Sequence, residues 1–200
     1  SDLEEAMRFA GRPADLAKVR NSLAGALDRI GRTPEALLQL AHATWEDQDN
    51  ALAATNYAMM LHRAGRTIDA LPYILRAALL LPRNPEIAYA AGLMLEREHR
   101  GDAIYYFSRA AHLRPESYEP LVAIGRIRRE QGHDVLALAA FSEAMRLAPG
   151  EPEPIRETAE TYALKRTATP DERRTAVAMA QEAVARRRDW KTLQIGRAHV

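Results

Sequence analysis

From residue 17 to residue 190 the chain restates one pattern about every 34 residues, a period that dictates stacked small units rather than one central core. The clearest unit is 118–151, YEPLVAIGRIRREQGHDVLALAAFSEAMRLAPGE. It holds two helical patterns separated by Gln131-Gly132-His133-Asp134 and closed by Ala148-Pro149-Gly150. Laid against it, the remaining chain divides into 17–50, 51–84, 85–117 and 152–190. The third unit is one residue short between its helices, and the fifth carries about five extra residues around Lys165 to Thr169. Both changes fall in turns, where length varies at little cost.

The register rests on small side chains. Position 20 of successive units is Ala36, Ala70, Ala103, Ala137 and Ala176, and position 27 is Ala43, Ala77, Ala110, Ala144 and Ala183. Position 8 is Ala24, Ala58, Gly92, Gly125 and Ala159. A methyl group or a hydrogen at these points lets helix A and helix B of one unit approach closely, and lets helix B meet the next helix A. Larger groups such as Leu23, Leu27, Leu40, Ile74, Phe107 and Phe141 fill the space around them. With aromatics at only 6%, small-residue contacts of this kind must carry the packing.

The turns supply matching punctuation. Gly31, Gly65 and Gly132 stand where the chain reverses between helices, a place that calls for positive φ. Pro82, Pro115 and Pro149 follow helix B and cannot continue it. Thr33-Pro34-Glu35 and Asn84-Pro85-Glu86 read as an N-cap, a proline at the first helical position and an acid in the first turn. Thr169 and Glu172 have the spacing of a capping box.

Small residues at positions 8, 20 and 27, a bulky one at 24 and a proline at 32 resemble the tetratricopeptide repeat. The tryptophan often found at position 4 of that repeat is absent; Arg20, Ala54, Ala88, Leu121 and Ile155 stand there. The resemblance implies an all-α, right-handed α-solenoid of helix-turn-helix repeats whose A helices line a groove. It implies a protein-protein interaction scaffold that takes a peptide or partner protein in that groove. The alternative is a substrate-docking or regulatory arm of a larger enzyme, such as a glycosyltransferase, with its catalytic domain outside these residues. Carried over position by position, the groove residues are Asn21, Thr55, Asn56, Met59, Arg63, Tyr89, Leu93, Arg97, Val122, Arg126, Arg129 and Arg156. Gly25, Arg29, His62, Glu96, Glu130, Glu157 and Glu160 share the face. Asparagine amides and arginine forks over an apolar floor of Met59, Tyr89 and Leu93 suit an extended peptide. The carboxylate clamp of co-chaperone repeats is absent: at its five positions stand Asn21, Gly25, Asn56, Glu86 and Ala90, and only Asn56 agrees.

Composition narrows the function further. A net charge of +1 gives no electrostatic footprint for nucleic acid, so no nucleic-acid partner is expected. The cations are mostly arginine, with lysine only at Lys18, Lys165 and Lys191, a bias that follows a GC-rich genome. Without cysteine there is no disulfide, thiolate nucleophile or zinc-thiolate site, which favours a reducing cytoplasm over a periplasm. No apolar run approaches the roughly 18 residues of a membrane span, so a soluble chain with no membrane partner is expected. None of His42, His62, His99, His112, His133 or His199 has the spacing of a metal ligand pair, and no phosphate loop or nucleophile elbow is present. No cofactor, metal or catalytic role is expected. Tyr105-Tyr106-Phe107 reads as packing, with Phe107 in the core.

The two ends read differently from the middle. Residues 1–16 carry a short amphipathic pattern that is either a capping helix or helix B of a preceding repeat. Ile195 to Val200, IGRAHV, resembles the translation of a widely used sequencing-library adapter, so 194–200 is expected to be a non-native tail. On that reading Trp190-Lys191-Thr192-Leu193 leads into a further repeat starting at 191–193, as in many bacterial arrays, and the chain is a fragment.

Overall fold

The computed structural model describes residues 12–99, 101–165 and 168–197, with side chains through Arg186. These residues form α1 (Pro13–Arg29), α2 (Thr33–Glu46), α3 (Ala51–Arg63), α4 (Thr67–Leu80), α5 (Pro85–Arg97), α6 (Ala103–Leu113), α7 (Glu119–Glu130), α8 (Asp134–Leu147), α9 (Pro152–Leu164) and α10 (Pro170–Arg197). No strand occurs among the described residues. The chain packs as two units, 1–106 and 107–200, with the division inside α6. In the first, α1 packs on α2 and α3 on α4, while α2 meets α3 and α4 meets α5. In the second, α7 packs on α8 and α9 on α10, with α8 against α9. The A helices also touch directly: α1 meets α3, α3 meets α5, and α7 meets α9.

Local chemistry explains where the helices stop. Gly31, Gly65 and Gly132 adopt φ of 80°, 78° and 76°. Each is followed by the same closing bond: Arg32 N donates to Leu27 O, Arg66 N to Leu61 O and His133 N to Arg128 O, all at 2.9 Å. This Schellman closure satisfies carbonyls that the helix end would otherwise leave without partners. In the shortened third turn His99 takes the left-handed conformation instead, at φ 52°. His99 stands at the same register position as those glycines, and its side chain tolerates that region better than most.

The starts are less uniform than the sequence suggests. Asn84 Oδ1 accepts from Ile87 N at 2.9 Å, and Asn50 Oδ1 accepts from Ala53 N at 3.0 Å. Thr169 and Glu172 form the reciprocal box, with Thr169 N donating to Glu172 Oε2 at 2.8 Å and Glu172 N to Thr169 Oγ1 at 3.2 Å. Thr33 is not a cap. The closure through Arg32 puts that residue at the cap position, so Thr33 is already helical and its hydroxyl faces Asp28 Oδ1 at 3.4 Å. Residues 1–11 and 198–200, which carry the proposed leading helix and the last residues of the adapter-like string, lie outside the described residues. The backbone of α10 is helical through Arg197, but the side chains of the stretch read as the start of a further repeat are not described.

The core is built from the small positions. All ten alanines at positions 20 and 27 are buried, none more than 5% exposed. Phe107 and Phe141 are fully buried. A close approach lies in the second unit, where a Cβ placed on Gly125 of α7 would sit 2.3 Å from Phe141 Cε1 on α8. The partner of position 8 is therefore the bulky residue at position 24, whose ring occupies the volume a methyl group would need. Where leucine stands at position 24, as at Leu40, position 8 is Ala24, and both are buried in one cluster.

Candidate functional site

Ala24 and Leu27 turn into the core from one face of α1, which leaves the intervening positions of the helix facing the neighbouring A helix. On that face Asn21, Gly25 and Asp28 of α1 meet Asn56, Met59, Met60 and Arg63 of α3 around a cavity of about 290 Å³, with Leu40 at its base. Asn56 Nδ2 donates to Asn21 Oδ1 at 2.8 Å. Arg63 Nη2 meets Asp28 Oδ2 at 2.7 Å. That hydrogen bond holds the Asp28 carboxyl below the usual carboxylate range, against the opposing pull of desolvation. The rim is thus a neutral ion pair, one side carries two linked amides, and the floor is apolar.

Not every residue of the predicted face is free to meet a ligand. Thr55 donates its hydroxyl to Ala51 O at 2.7 Å within its own helix. Tyr89 and Leu93 are half-buried on α5, and Arg97 is exposed at its end. Close by, burial pushes the His62 imidazole below its ordinary range, and the Arg97 charge adds to the effect. His62 Nδ1 lies 3.1 Å from Thr67 Oγ1.

In the second unit the expected ligand contacts are largely engaged. Val122 is a correction: it is 1% exposed and packs with Ala137, Phe141 and Ala144, so it belongs to the core. Arg129 Nη2 lies 2.9 Å from Glu157 Oε2, and its Nη1 donates to Glu157 O at 3.2 Å. Arg156 Nη2 reaches Glu157 Oε1 at 2.7 Å, and Arg126 Nη1 reaches Glu153 Oε1 at 3.4 Å. Glu157, read as a groove residue, is 1% exposed and is the hub of this cluster. A buried carboxylate is tolerated only with such partners. Among the described residues, no group of three or more histidine, aspartate or glutamate side chains is placed to hold a metal ion.

Two features escaped the groove prediction. Asp28 stands in the same register as His62 and neutralises Arg63, a pairing across α1 and α3 that needs both helices in place. Met60 follows Met59 but turns toward the core, where it packs with Leu40 while still lining the cavity.

No family model and no curated protein matches the sequence. Solved structures do match. YrrB, described as a TPR protein with an unusual peptide-binding site, superposes with a TM-score of 0.77 at 19% identity, over 100% of this chain and 99% of that one. MamA from Desulfovibrio magneticus RS-1 gives 0.76 at 17% identity, over 86% of this chain and 96% of that one. PilW, described as a widely conserved type IV pilus biogenesis factor, gives 0.68 at 22% identity, over 85% of this chain and 78% of that one. The fold is a tetratricopeptide-repeat solenoid. Identities this low establish the architecture and leave function to the residues of this chain.

Proposed function

We propose that this chain is a protein-interaction scaffold that binds an extended segment of a partner protein along its A helices. The observation that carries this reading is the cavity between α1 and α3, where Asn21, Asn56, Met59 and Arg63 converge. Once Asn56 has donated to Asn21, the pair still offers N–H groups and a carbonyl oxygen, the complement of a peptide backbone. The mixture of amides and apolar floor is the composition of a recognition site, with a few placed polar groups over a hydrophobic base. The peptide-binding site reported for YrrB, on the same fold, is consistent with such a role.

The test is selection of a displayed random peptide library on the 200-residue chain, followed by amide-shift mapping of the winning peptides. Shifts centred on Asn21, Asn56, Met59 and Arg63, together with loss of binding in Asn56→Ala, are expected. Shifts confined to the outer faces of α2 and α4 would place recognition elsewhere. Failure to select any peptide would remove the reading.

A further inference from the structure

Gly25 has no structural reason to be glycine. It lies inside α1, four residues before the end of the helix. Its φ is not positive, and a Cβ built there would find nothing within 4 Å. A glycine in a helix interior costs stability relative to alanine, so neither backbone geometry nor packing accounts for it. Gly125 is the contrast, since Phe141 occupies the space its side chain would need. The space beside Gly25 is instead the cavity bounded by Leu40, Met59 and Met60.

The chemistry of that space is specific. Its volume of about 290 Å³ falls just under the roughly 300 Å³ at which small-molecule sites begin, and so suits one or two side chains of a larger ligand. The charged groups lining it, Asp28 and Arg63, are bonded to each other at 2.7 Å and present no net charge to an occupant. A charged anchor would have to compete with that pair, whereas an apolar one leaves it intact. Asn21 and Asn56 sit at the side, placed to hold the backbone on either side of an inserted side chain.

We infer that Gly25 keeps open an anchor pocket for one uncharged aliphatic side chain, of the leucine or methionine class, carried by the bound peptide. This inference rests on the peptide-binding reading above and adds the residue class that sets its specificity. Met59, 39% exposed, forms the adaptable wall, since an unbranched thioether can repack around leucine, isoleucine or methionine.

The test uses peptides selected on the unaltered chain, with affinities measured by fluorescence polarisation against that chain, Gly25→Ala and Gly25→Leu. Both variants are expected to fold, with thermal midpoints at or above the parent, because the added atoms enter open space. The selected peptides are expected to share one aliphatic residue. Gly25→Leu should weaken them more than tenfold and Gly25→Ala by less. Replacing the shared residue by aspartate should cost a similar factor on the parent and little more on Gly25→Leu. Peptides that bind Gly25→Leu within twofold of the parent, or that share a charged residue instead, overturn the pocket while leaving peptide binding intact. If the parent chain selects no peptide, the pocket falls together with the reading it rests on.

Discussion

Gly125→Ala is the substitution whose cost can be worked most directly from the structure. The new Cβ would lie 2.3 Å from Phe141 Cε1 and 2.7 Å from Cδ1 and Cζ. Carbon atoms at rest sit about 3.5–4.0 Å apart, so the ring edge must retreat by roughly 1 Å. Phe141 is fully buried against Val122, Ala137 and Ala144 and has no room to do so without moving them. Overpacking of this kind costs about 1–3 kcal/mol, and engagement of the whole ring edge places it at the upper end. Replacing a helical glycine by alanine returns about 1 kcal/mol of propensity. The net expectation is a loss of about 2 kcal/mol. Phe141→Leu alone should cost a comparable amount, because it leaves a void beside Gly125. The double variant Gly125→Ala/Phe141→Leu reproduces the residue types of Ala24 and Leu40, which pack together in the first unit. It should therefore be more stable than the sum of its parts by about 1–3 kcal/mol. Urea denaturation followed by circular dichroism, with midpoint and slope compared across the four proteins, measures this coupling. A Gly125→Ala protein as stable as the parent, or strictly additive substitutions, would refute the assignment of this contact.

Three further perturbations address other parts of the molecule. Glu157→Gln leaves Arg126, Arg129 and Arg156 clustered without their shared carboxylate. Breaking a buried pair costs about 3–5 kcal/mol, and the exposure of Arg156 points to the low end. For a chain of this length about 3 kcal/mol corresponds to a drop of roughly 6–12 °C in thermal midpoint, measurable by calorimetry. Asn84→Ala removes the cap on Ile87 N and should cost about 1 kcal/mol, while Thr33→Ala, at a residue that caps nothing, should cost less in the same denaturation assay. The phenol of Tyr118 is pushed up to about 12 by burial, with the carboxylates of Glu151, Glu119 and Glu153 adding to it. Because the folded pKa exceeds the unfolded one near 10, this group's contribution is fully present below pH 10 and fades between pH 10 and 12. Tyr118→Phe should flatten that part of the stability–pH curve; an unchanged curve would count against this half-buried phenol as its source.

What could be read from the chain alone is what depends on near neighbours. The period, the turn glycines and the closing prolines act over a few residues, so their meaning survives without a fold. The small residues are nearly as legible, because every unit repeats the same close helix crossing and so repeats the same requirement. Positions 8, 20 and 27 could thus be assigned before any packing was known. The partner of Gly125 could not, since it required the direction of the Phe141 ring.

The groove residues show the opposite case. Val122 and Asn21 occupy the same position in their units, yet one is sealed in a core cluster and the other borders a cavity. Arg126, Arg129 and Arg156 look on paper like cations waiting for a ligand, but α9 supplies buried Glu157 and half-buried Glu153 to engage them. Whether the Asn21 amide or the Arg126 guanidinium is offered to a partner depends on what the adjacent A helix places opposite it, some 27–35 residues away, whereas Val122 is closed off by α8. Sequence determined that the chain is a stack of helix pairs. Tertiary structure decided which polar groups are left over and where the cavity beside Gly25 stays open, because both follow from charges and volumes meeting across helices.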